Sequence, residues 1–133
     1  MKQEFVPYEL AVKLKALGFD EPCLGLYYPN GKFNIKEQNG LNCDSDKNSY
    51  LDSLGNSAGF CTAPLYQQVF RWFREEYNLN SFVIDSKSYN WYFNINDTIK
   101  DDVVSEVLYF KTYEEAELAC LTKLIEIVEN KEE

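Results

Sequence analysis

The stretch Phe60 to Asn78, FCTAPLYQQVFRWFREEYN, constrains this chain more than any other. It reads as one central, unusually aromatic helix with strands before and after it. Pro64 suits a first turn, where its missing N–H has no helical partner to lose. Thr62 or Ala63 would then be the N-cap, and Thr62 has the better chemistry because its hydroxyl can accept from a first-turn amide. Leu65, Val69, Trp72 and Phe73 recur at helical spacing, and Tyr66, Phe70, Phe73 and Tyr77 form an adjoining row. Together they make an apolar stripe wider than one buried face needs. Asn78 can adopt the left-handed conformation that stops a helix. A stripe this wide touches two things. One reading is a sheet on one side and a second helix or long loop on the other. The sharper reading has Tyr66, Phe70 and Tyr77 lining a groove or a homodimer contact.

A length of 133 residues fits one domain spanning the whole chain, long enough to bury a real core. No apolar run approaches the roughly 20 residues of a membrane span. Charges interrupt the opening MKQEFVPYELAVKLKALGF, so it lacks a signal-peptide core and a cytoplasmic protein is expected. Cys23, Cys43, Cys61 and Cys120 lie far apart and form no C-x-x-C pair, which excludes zinc ribbons and dithiol redox motifs. The chain has no histidine. That removes Ser-His-Asp and Cys-His catalysis, the common catalytic zinc sites and histidine pH switching.

The net charge of −9 is unevenly placed: residues 97–133 hold eleven acids against four lysines. Such a chain is repelled by phosphate backbones, so direct nucleic-acid binding is not expected. An acidic stretch of this kind most commonly means a solvated helix face.

Taken in order, Pro7 to Leu17 reads as a helix, with Leu10, Leu14 and Leu17 on one side and Gly18 as its stop. Phe19 can fold back onto Leu14. Leu24 to Tyr28 and Lys32 to Lys36 form a hairpin, with Asn30-Gly31 supplying positive backbone angles. Residues 37–59 form a long acidic loop, and loops beyond roughly 12–15 residues are often functional or disordered. Within it DSDKNSYLDSLG partly matches a calcium-binding EF-hand loop. Ser49 replaces the turn glycine and Gly55 the bidentate glutamate, so the match fails and no metal site is assigned. Ser81 to Asp85 and Tyr89 to Ile95 form a second hairpin. In the latter strand Tyr89, Trp91, Phe93 and Ile95 alternate with Asn90, Tyr92 and Asn94, so Tyr92 lies on a wet face. Val104 to Phe110 reads as a fifth strand. Thr112 and Glu115 make a capping box for a last helix, whose buried stripe is Leu118, Leu121, Leu124, Ile125 and Val128. Cys120 beside it reads as a small core residue.

Cys61 precedes the expected helix start, where a helix dipole can lower a thiol pKa. The C-x-x-P segment Cys61-Thr62-Ala63-Pro64 is therefore a candidate redox or transferase site, set against a buried, inert thiol. The carboxylate pairs Glu75-Glu76, Asp101-Asp102 and Glu114-Glu115 are sequence neighbours, which on a helix point about 100° apart and form no acid/base dyad.

The segments FCTAPLYQQVFRWFREEYNLNSF, FKTYEEAELACLTKLIEIV and EFVPYELAVKLKALGFDEPC resemble a family of small proteins from gut bacteria, their prophages and mobile elements. That resemblance implies phage-linked accessory biology. It carries no assigned activity and transfers no functional residue.

The expected fold is an α+β two-layer domain in the order α-β-β-α-β-β-β-α, with helices on a mostly antiparallel sheet. Without a catalytic constellation or a cofactor motif, the favoured function is non-enzymatic. It is an accessory module that binds a host or phage protein through Tyr66, Phe70, Tyr77 and Tyr92 and acidic surface. The alternative is an enzyme or small-ligand binder with a site under the 37–59 loop, using Asp52, Cys61 and Tyr66. A variant of the first is an acidic DNA-mimic inhibitor, which needs its carboxylates lined up on one exposed face.

Overall fold

The computed structural model describes residues 4–21, 23–28, 30–35, 61–88, 90–104 and 108–131. The 37–59 loop, its EF-hand-like segment and Asp52 lie outside them. The described elements are α1 (Tyr8–Ala16), β1 (Gly25–Tyr27), β2 (Phe33–Ile35), β3 (Cys61–Ala63), α2 (Tyr66–Tyr77), β4 (Leu79–Asp85), β5 (Trp91–Asp97), β6 (Asp102–Val103) and α3 (Tyr113–Lys131). This is an α+β fold with two three-stranded antiparallel sheets, ordered β2-β1-β3 and β4-β5-β6. The chain divides into two compact units, Met1–Leu65 and Tyr66–Glu133.

In the first unit α1 ends as its glycine predicts. Gly18 has a φ of 101°. The Phe19 amide returns to the Leu14 carbonyl at 3.0 Å and the Gly18 amide to Lys15 at 3.1 Å. These bonds satisfy carbonyls that the helix end would leave bare. Leu14 and Phe19 are both buried. The first hairpin forms with the register Gly25↔Ile35, Leu26↔Asn34 and Tyr27↔Phe33. Of Asn30-Gly31 only Gly31 takes a positive φ. Its amide donates to the Tyr28 carbonyl at 2.8 Å, and the Tyr28 amide donates to Lys32 at 3.0 Å. The turn is thus longer than a two-residue connection, with glycine at the left-handed position.

The expected helix from Phe60 begins only at Tyr66. Cys61–Ala63 is instead β3, antiparallel to β1 with Tyr27↔Cys61, Leu26↔Thr62 and Gly25↔Ala63. Thr62 is therefore a buried strand residue and not a helix cap. Pro64 lies in the connection and accepts the Val6 amide at 2.9 Å. A three-residue strand buried throughout shows no alternation, so periodicity could not reveal it. Its packing partner is specific. A Cβ on Gly25 would lie 2.8 Å from Ala63 Cβ and 2.9 Å from the Ala63 carbonyl oxygen. The Tyr27 hydroxyl donates to the Val6 carbonyl at 2.6 Å, tying the segment before α1 to this sheet.

In the second unit α2 packs on β4 and α3, and α3 packs on β4 and β5. Asn78 stops α2 with a φ of 58°. β4 and β5 pair one-to-one from Leu79↔Asp97 to Asp85↔Trp91. Phe93, Ile95 and Asp97 are buried while Tyr92, Asn94 and Asn96 are half-buried, as the alternation predicts. The strand expected over Val104–Phe110 is not found among the described residues: β6 covers Asp102–Val103, just before it, the Val104 amide donates to the Ile95 carbonyl at 2.8 Å, and Phe110 meets Trp91 in an isolated antiparallel bridge. α3 starts at its expected cap: the Glu115 amide donates to Thr112 Oγ1 at 3.1 Å, and that hydroxyl donates to Glu115 Oε1 at 3.3 Å. The buried side of α3 is Ala116, Glu117, Cys120, Leu121, Leu124, Ile125 and Val128. Leu118, expected in that stripe, is exposed. It lies beside the buried side of α3, which β4, β5 and α2 cover.

Candidate functional site

Tyr66 and Phe70 are 6% and 7% exposed, and their rings pack against each other with centroids 6.1 Å apart. As placed, neither offers a ring face to solvent. The first residues of α2 carry too much apolar area to leave in water, and burial has absorbed it. Tyr77 is half-buried, edge-on to Trp72 at 5.4 Å. Tyr92 is also half-buried, on the β5 face opposite Phe93 and Ile95, with its ring 5.7 Å from that of Tyr109.

Cys61 sits in a strand, not at a helix N-terminus, so the dipole that would lower its pKa is missing. Burial pushes its thiol up to about 11, partly opposed by Lys15. Its Sγ donates to the Thr62 carbonyl at 3.5 Å. Cys120 is pushed to about 12 by burial, against a hydrogen bond with Ser81. Tyr113, hydrogen-bonded to Glu117, is raised by burial first and by that carboxylate second. Thiols this far above neutrality stay protonated and are poor nucleophiles.

Two of the acids in residues 97–133 are interior. Glu117 is buried on α3. Asp97 is buried and accepts the Ile99 and Lys100 amides at 3.0 and 3.1 Å, with Lys131 Nζ at 3.6 Å. The Lys100 amide bond is the main reason its carboxyl lies below the usual value. These two carboxylates serve the fold and do not lie on an exposed face.

The feature that sequence reasoning missed is a groove beside α3. Its floor is Phe93 and Phe110, stacked with centroids 6.1 Å apart and planes 22° from parallel. The bridge to Trp91 holds Phe110 there through two backbone bonds of 2.9 and 2.7 Å. Leu108 forms one wall and Leu118 and Ala119 the other. Glu115, Thr122, Lys123 and Glu126 complete the α3 side. The hollow has a volume of about 450 Å³. Leu108 and Leu118 remain 52% and 40% exposed around it. On the rim Lys123 donates to Glu126 at 3.2 Å. The sequence signal was present: Glu115, Leu118, Ala119, Thr122, Lys123 and Glu126 recur at three- and four-residue spacing, a second row beside the buried one.

Among the described residues no group of three or more Cys, Asp or Glu could hold a metal ion, and no helix is long and apolar enough to cross a membrane. No protein family, curated protein or solved structure matches the chain.

Proposed function

We propose that this chain is a non-enzymatic binding module that takes a short amphipathic, basic helix of a partner protein into the α3 groove. One observation carries the reading: two large apolar side chains, Leu108 and Leu118, stay substantially exposed around an aromatic-floored hollow. Groups of this kind mark interaction sites when they line one concavity and are not scattered singly. The volume falls within the usual range for recognition pockets of roughly 300–1,000 Å³. From Glu115 to Glu126 the groove follows α3 for roughly 16 Å, about three turns of helix. Apolar anchors at i, i+3 or i+4 and i+7 fit that length. The charge of the partner follows from the rim. Glu126 already holds Lys123, Glu115 stands at the other end, and residues 97–133 are strongly acidic. Complementary charge steers a basic partner in and repels an acidic one. The resemblance to small phage and mobile-element proteins supports an accessory role for the module.

Selection of displayed random peptides on the whole chain tests the reading, with counter-selection on a Leu118→Lys variant. Peptides with helically spaced apolar anchors flanked by Lys or Arg are expected, each losing at least about tenfold in affinity on the variant. Selected peptides that bind the variant equally well would sink the assignment to this groove, and a selection without any binders would sink the module itself.

A further inference from the structure

β4 is an edge strand: it pairs with β5 on one side, and among the described residues no backbone group pairs with its other side. The direction of each backbone group follows from the ladder. The Thr98 amide donates to the Asn78 carbonyl, and at the far end the Ser86 amide donates to Asn90. Asn78↔Thr98 and Ser86↔Asn90 continue the β4–β5 register, so even-numbered residues of β4 bond to β5. Leu79, Ser81, Val83 and Asp85 therefore aim their N–H and C=O groups away from β5; Leu79 is fully buried, while Ser81, Val83 and Asp85 are partly or fully exposed. Natural sheets guard such an edge with lysine, proline, a bulge or a very short strand. β4 has seven residues, LNSFVID, in an unbroken one-to-one register, and its only charge is Asp85 at the end. At its centre Phe82 is 49% exposed.

We infer that β4 pairs antiparallel with β4 of a second copy of this chain, across a two-fold axis at Phe82. An antiparallel edge is complementary to itself under two-fold symmetry. Centring the axis on Phe82 sets Ser81 opposite Val83 of the partner subunit and Leu79 opposite Asp85 of the partner subunit. Leu79 is fully buried, so the outward groups of Ser81 and Val83 carry the pairing and exchange about four backbone hydrogen bonds. Phe82 meets its own copy as a non-hydrogen-bonded pair, the closer of the two cross-strand geometries and one that favours aromatic contact. Charge permits self-association at this edge: residues 79–96 balance Asp85 against Lys87, whereas residues 97–133 carry a net −7. The two Asp85 side chains would stand at opposite ends of the new ladder, roughly 20 Å apart at a strand rise of about 3.4 Å per residue.

Sedimentation equilibrium of the whole chain between about 5 and 500 μM, with residue-resolved amide exchange at both ends of that range, tests the pairing. A doubling of mass is expected. The Ser81 and Val83 amides should slow at least about tenfold at high concentration, while Phe82 and Ile84, already bonded to β5, stay unchanged. Phe82→Lys, which sets two like charges opposite each other, should weaken the dimer at least about tenfold without altering the far-ultraviolet spectrum. Leu118→Lys, in the α3 groove, should leave the dimer intact, so this test is independent of the peptide selection. A chain that stays monomeric throughout, or a dimer in which the Ser81 and Val83 amides exchange as fast as in the dilute protein, overturns the inference. The exchange measurement on the unaltered chain decides even if Phe82→Lys fails to fold.

Discussion

Thr98 donates twice to the same carbonyl of Asn78: its amide at 2.9 Å and its hydroxyl at 3.1 Å. Asn78 also carries the positive φ that ends α2. One residue thus stops a helix and sets the register of the strand that follows. A slip of one residue there would turn Ile95 and Phe93 from the core to the wet face. Replacing Asn78 with glycine should change stability by less than about 0.5 kcal/mol, since glycine tolerates the left-handed angle. Asn78→Val should cost about 2 kcal/mol, because a β-branched side chain resists it. Urea unfolding of both variants, compared through their midpoints, checks the contrast.

The tip of the second hairpin holds a strained residue. Lys87 has a φ of 68°. The Ser88 amide closes a three-residue turn onto the Ser86 carbonyl at 2.7 Å, and Asp85 Oδ1 accepts the Lys87 amide at 2.8 Å. Lys87→Gly should stabilise the chain by about 0.5 kcal/mol, the left-handed strain relieved less the greater unfolded-state freedom of glycine. A raised urea midpoint with an unchanged slope is the expected result.

Gly25 has no room for a side chain. Gly25→Ala should destabilise by about 3 kcal/mol, since one of the two atoms it would strike is a backbone oxygen that cannot swing aside. Ala63→Gly in the same chain should recover only part of that loss, because it removes Ala63 Cβ and leaves the carbonyl in place. A double-mutant cycle on unfolding free energies gives the coupling.

The buried thiols and one phenol make stability depend on alkaline pH. Cys61 rises from 9.0 to about 11 and Cys120 from 9.0 to about 12, with burial the main cause in each. Tyr27 rises from 10.0 to about 12, by burial first and by Cys61 second. Each folded pKa lies above its unfolded value, so between the two the native state holds the more protons. Stability is then at its full value below about pH 9 and falls as pH rises toward about 11. Urea midpoints measured from pH 8 to pH 11 should be level and then decline, and Cys61→Ala should flatten the onset of the decline. Alkylation of Cys61 and Cys120 at pH 8 should require unfolding and be strongly accelerated by denaturant.

Local chemistry alone determined much of this fold. Gly18, Asn78 and the Thr112–Glu115 pair act within a few residues, through backbone angle or a single hydrogen bond, so their effects were readable one at a time. The alternation along β5 was equally plain, because one face of that strand is core and the other is not. Tertiary structure decided the rest. Cys61–Ala63 became a strand because β1 offered a backbone edge free of side chains at Gly25, a long-range fact with no local trace. The rings of Tyr66 and Phe70 went inward because enclosing large apolar area outweighs the contacts that an exposed stripe would leave unused. Leu118 was left outside because it lies beyond the side of α3 that β4, β5 and α2 cover, and a width of coverage cannot be counted along one helix. The groove exists only where Phe110, held by its bridge to Trp91, stacks on Phe93 beside that uncovered row. Its residues come from three separated segments, and only folding brings them within reach of one another.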